Sequence, residues 1–218
     1  MAATPLESTG QGLNRAAILP VALAVAYPLF SHASVLLHAP FLQWLALCCM
    51  AAVPLANALL AARPSAWLLF IVIAGLLWWM IHLGDGQYML YLPPLVLNGA
   101  AAALFGLSLR PGHTPLITSF ARIARGGVVP PDMLAYCRKL TCLWALMMGG
   151  IFAVSLYLTV FGPLWLWSWH TNCFSYVLIA AVFVGEFFLR RRLFAHHPHI
   201  GFWDYLKLMT RIRAGEVR

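Results

Sequence analysis

The sequence is poor in charge, and poorest in acid: six Asp and Glu stand against 14 Lys and Arg in 218 residues, and charged side chains make up only 9%. A water-soluble domain carries about a quarter. The 62% of residues that are hydrophobic therefore cannot all be hidden beneath a polar surface, which excludes an ordinary soluble enzyme. They must face lipid as well as each other. Familiar catalytic signatures are missing too, with no GxSxG elbow, Walker loop, HExxH or DxxxD magnesium pair. No catalytic residue is singled out, and no cofactor is expected. The five cysteines (Cys48, Cys49, Cys137, Cys142 and Cys173) form no CxxC pair, so neither a zinc site nor a disulfide framework is expected. They read as small hydrophobes.

What the chain has in plenty is long apolar runs. Crossing a hydrocarbon core of roughly 30 Å takes about 20 helical residues. Six stretches qualify, at residues 16–36, 41–60, 66–82, 88–108, 140–161 and 169–189, the fourth starting at or shortly before Pro93–Pro94. The expected fold is an all-α membrane protein with six transmembrane helices over residues 1–189, followed by a basic tail at 190–218. Residues 15–26 also resemble a signal peptide ending at Ala24-Val25-Ala26. The apolar run continues to Leu36 and Leu37, which favours an uncleaved anchor.

Charge tests this count. Every Lys and Arg falls before span one, between spans two and three, between four and five, or after six, while the alternate loops at 37–40, 83–87 and 162–168 hold none. The positive-inside rule then places both termini and the 109–139 loop in the cytoplasm. Trp44, Trp78, Trp79, Trp165, Trp167 and Trp169, with Tyr88 and Tyr91, form an expected aromatic belt on the outer side. Pro131 and Asp132 make a good helix start, so the fifth helix should begin ahead of its membrane span. Phe202, Tyr205, Leu206, Met209 and Ile212 recur at helical spacing among cations, the pattern of an amphipathic helix on the inner surface. Small residues at Ala52, Ala56, Gly99, Ala102, Ala103, Gly106, Gly149 and Gly150 predict that spans two, four and five pack most closely.

Four groups of polar residues are candidates for chemistry. Arg110, His113, Arg122, Arg125, Arg138 and Lys139 crowd the basic loop with Thr114 and Thr118. They suit anionic lipid headgroups, a phosphate or an acidic protein, since guanidinium forks match such groups. The net charge of +8 sits in short segments between apolar runs, which points to lipid rather than nucleic acid. His32, His38, His82, Asp85 and His170, with Asn172, lie towards the outer side. No ligand-like spacing links them, and no metal is expected there or at His196, His197 and His199. Asn57, Asn98 and Glu186 lie inside spans, where polar groups are costly. Glu186 has Arg190 four residues on, an expected ion pair. Asn98 is expected to bond a neighbouring helix. A proton-driven transporter would want a chain of carboxylates, and only Glu186 is available.

Several stretches are similar to a family of bacterial inner-membrane proteins. They are Pro93-Pro94 through Asn98, Leu104 through Ile117, the segment from Pro130–Pro131 past Tyr136 to Arg138, and Gly185-Glu186 through Arg192. That family is associated with aryl-polyene or xanthomonadin-type biosynthesis and is often labelled "ketosynthase". The label does not suit these residues, because a ketosynthase needs a reactive cysteine and two histidines in a large soluble fold. The resemblance implies a bacterial inner-membrane location and an accessory role in a polyene or fatty-acyl lipid pathway. It also implies a partner, the acidic acyl carrier protein, which would suit a basic inner face. An enzyme acting on an acyl or isoprenoid lipid, using Asn98, Arg110 and His113, and a lipid flippase are the alternatives.

Overall fold

The computed structural model describes residues 15–84, 86–125 and 127–194. The expected C-terminal amphipathic helix, Asp85 and the histidines at 196, 197 and 199 lie outside these residues. The elements are α1 (Arg15–Leu36), α2 (Pro40–Leu60), α3 (Pro64–His82), α4 (Gly86–Ser108), α5 (Leu116–Ala124), α6 (Pro131–Phe161), α7 (Leu164–Trp169), a π-helical turn at His170–Phe174, and α8 (Ser175–Leu193). No strand occurs among the described residues. Six helical segments are long and apolar enough to cross a bilayer, α7, the π turn and α8 together making the last. The protein is an all-α, six-helix membrane protein.

The chain divides into two compact units, Met1–Leu90 and Tyr91–Arg218, so the boundary falls inside α4. In the first unit α1 and α2 form a helical hairpin. Tyr27, Ser31, Ser34 and Val35 of α1 are buried, as are Ala46, Leu47, Cys48, Cys49, Ala52 and Ala56 of α2. The α1–α2 and α2–α3 turns each stop the helix with a non-glycine residue at positive φ, His38 at 52° and Ala62 at 50°. In each, the next amide reaches five residues back, Ala39 to Ser34 O and Arg63 to Ala58 O, both at 3.1 Å, as in a Schellman stop. Helix α3 is apolar around its circumference and exposes Leu68, Ile71, Val72, Leu76 and Trp79. A helix of that kind belongs in lipid. Trp44 is held against α3, its indole N–H donating to Ala74 O at 2.8 Å and its ring meeting Trp78 edge-on.

Helix α4 begins at Gly86, two residues ahead of the expected span at 88–108, and both prolines lie inside it. Proline has no N–H, so Pro94 leaves the carbonyl of Leu90 without its helical donor. The Tyr27 hydroxyl takes that place, donating to Leu90 O at 3.1 Å. A freed carbonyl met by a neighbouring side chain is how prolines persist in membrane helices.

In the second unit α6 starts at Pro131 with Asp132 in its first turn, as the sequence predicts, well ahead of residue 140. Its buried stripe runs through Met133, Cys137, Leu140, Thr141, Met148, Ile151, Ser155 and Leu158. Gly99 of α4 lies close to the Phe152 ring, where a Cβ would come within 3.1 Å. Gly106, Gly149 and Gly150 have nothing within 4 Å of that position. The small residues thus serve close packing at Ala52, Ala56 and Gly99, and not at those three glycines.

Candidate functional site

The basic loop is a built structure rather than a slack connection. Ser108, the last residue of α4, donates to Phe105 O at 2.7 Å and accepts the Leu116 amide at 3.0 Å. Gly112 at φ 83° lets the chain reverse. Pro115 precedes α5 and offers no side-chain cap. The first amides of α5 are served from other helices instead: Leu116 N–H by Ser108, and Ile117 N–H by Thr141 of α6 at 3.3 Å. Thr141 in turn donates to Cys137 O at 2.7 Å and is wholly buried. These bonds satisfy donors that a helix start leaves orphaned, and they fix α5 against α6. Thr118 of α5 is buried, and the Gly127 amide closes the helix by donating to Arg122 O at 2.8 Å.

The cations are arranged on this frame. Arg110, His113, Arg122, Arg138 and Lys139 are exposed, and Arg125, at the end of α5, is half-buried. Arg138 is tied down, its Nη2 donating to Leu109 O at 3.2 Å. The end of α8 joins the same region of this unit. The Tyr136 hydroxyl donates to Glu186 Oε1 at 3.3 Å, the Tyr136 ring meets Phe194 edge-on at 5.3 Å, and Arg190 pairs with Glu186 at 3.4 Å. The expected i,i+4 ion pair is therefore present. Arg191 lies over the Phe187 ring at 5.7 Å. Asp132 and Glu186 are the only carboxylates among the described residues of this unit. Cations thus far outnumber carboxylates among the described residues of this unit.

Asn98 does not join these cations. It lies half-buried ten residues before the end of α4, about 15 Å along the axis from Ser108. The grouping of Asn98 with Arg110 and His113 is not brought together. Asn57 is exposed on α2 in the first unit. His32, His38 and His82 belong to the first unit and His170 to the second. Among the described residues no three His, Cys, Asp or Glu side chains gather as a metal-ligand set.

A second polar cluster surrounds the π turn, of which the sequence singled out only His170 and Asn172. Trp167, expected in the aromatic belt, is instead wholly buried, its ring 4.7 Å from that of Tyr91. Ser155 of α6 and Ser168, His170, Thr171, Asn172 and Ser175 are buried as well. Ser155 Oγ, Trp167 Nε1, His170 Nε2 and Thr171 Oγ1 have no hydrogen-bond partner, and π turns recur at functional positions. The run Ser168 to Asn172, polar inside an apolar segment, was the available signal. The chain matches no protein-family model, no curated protein and no solved structure.

Proposed function

We propose that this protein is a non-catalytic accessory component of a polyene or fatty-acyl lipid pathway in the bacterial inner membrane. Its role is to hold an acidic acyl carrier protein at its cytoplasmic face. The observation that carries this reading is the fixed placement of α5. Ser108 and Thr141 secure its start, α5 itself carries exposed Arg122, and Arg110, Arg138 and Lys139 lie exposed on the segments that flank it in sequence. A rigid, positive surface with two nearby carboxylates attracts an acidic partner at long range and repels a basic one. The resemblance of the Leu104–Ile117 and Gly185–Arg192 stretches to the aryl-polyene family supplies the choice of partner.

The test uses the full-length protein in detergent and a purified acyl carrier protein. Capture should weaken steeply between low salt and about 0.15 M, where the Debye length falls to about 8 Å. Arg122→Glu with Arg125→Glu should abolish capture and lower pathway product in cells. Capture and product that both survive this double reversal would refute the reading.

A further inference from the structure

The second unit buries polar atoms without hydrogen-bond partners at one level of α6 and the segment that follows it. They are Ser155 Oγ of α6, Trp167 Nε1 of α7, and His170 Nε2 and Thr171 Oγ1 of the π turn. None of these four residues is more than 8% exposed. Trp167, His170 and Thr171 stand at i, i+3 and i+4, so they share a helix face. Helix α6 packs against both α7 and the π turn, and only Gly162 and Pro163 separate it from α7. The two segments therefore run back along each other. Ser155 lies six residues before the end of α6 and His170 six residues after the start of α7, each about 9 Å along the helix. Ser155 thus reaches the same depth as His170 and Thr171.

A buried helical hydroxyl ordinarily donates to a carbonyl one turn back, as Thr141 does to Cys137 O and Thr159 to Ser155 O. The hydroxyls of Ser155 and Thr171 do not. Their neighbours are served within the turn, where Asn172 Nδ2 donates to Ser168 Oγ at 3.1 Å and Ser175 Oγ to His170 O at 2.8 Å. Lipid offers these atoms no bonds. No Asp, Glu, Lys or Arg occurs from Leu140 to Gly185, so an ion here would go uncompensated. The Trp167 indole can only donate, so an occupant must present a lone pair. We propose that this site binds one neutral oxygen, from water or from the hydroxyl or carbonyl of a small molecule, shared by Ser155 and Thr171. It uses no cation of the basic loop, so it stands or falls separately from carrier-protein capture.

The test is a double-mutant cycle on the full-length protein in detergent. Ser155→Ala and Thr171→Val each remove a hydroxyl with little change of volume, and each should lower the unfolding midpoint by about 3 °C. Because both hydroxyls hold the same atom, the double variant should lose little more than either single one. Separate bonds from each hydroxyl to its own helix would give losses that add. Thr171→Ser keeps the hydroxyl, so Ser155→Ala should still cost its full loss in that background. The source of the oxygen is read by mass spectrometry of organic extracts of the purified protein. A molecule with a neutral hydroxyl or carbonyl, bound to the wild type and depleted about tenfold in the double variant, identifies an organic ligand. Matching extracts assign the oxygen to water. Magnetisation should then pass from water to the Trp167 indole proton in bilayers, with Trp167→Phe assigning the signal. Additive losses, a midpoint raised by either single change, or a wild type that shows neither ligand nor transfer overturns the proposal.

Discussion

At the scale of the residue, single hydrogen bonds resolve problems that the chain itself creates. Pro94 removes a donor in mid-helix, and the Tyr27 hydroxyl supplies one to Leu90 O from 63 residues away. Tyr27→Phe should therefore cost about 1–3 kcal/mol, the penalty of a buried carbonyl left unpaired, read as a lower unfolding midpoint in detergent. An unchanged midpoint would mean that the carbonyl finds another donor. The proline was plain in the sequence; its remedy was not. The same contrast holds at Glu186. Its partner Arg190 lies four residues on, so helical spacing alone revealed it, whereas Tyr136 lies 50 residues away and only the fold brings it in. Trp167 shows the reverse error. A tryptophan near a span end suggests a headgroup position, yet burial against Tyr91 decided its place.

Among the elements, α5 is the one whose placement matters most. The sequence showed its cations as a group of interest in the 109–139 loop. It did not show that the helix would be capped from two neighbours, because such caps depend on which side chains the fold places at its first turn. Thr141→Val keeps the shape of the side chain and removes the acceptor for Ile117 N–H. It should destabilise the docking of α5 by about 1 kcal/mol and raise amide exchange across residues 116–124 several-fold, while α6 exchange stays slow. Exchange in α5 that matches the wild type would show that Ser108 alone secures it. Element boundaries were mostly legible. Pro131 with Asp132 marked the start of α6, and the apolar run of α4 was legible through its prolines, which membrane helices tolerate once a substitute donor is present.

For the whole molecule, the topology implied by its charges is open to direct test. In a background lacking the five native cysteines, Val128→Cys should be shielded from a membrane-impermeant thiol reagent in intact cells. Leu83→Cys and Pro163→Cys should react. All three positions are exposed in the structure, so protection would report the membrane rather than burial. The opposite labelling pattern would reverse the orientation and remove the cytoplasmic docking face. By itself the sequence determined the membrane class and the six spans, because apolar length and scarcity of charge are sums over a segment and need no partner. It also named every cation of the basic face. Only the tertiary structure decided that α5 is anchored, that Asn98 stands apart, and that polar atoms are buried around the π turn. These depend on side chains meeting across tens of residues, and one chain read in order carries no measure of that distance.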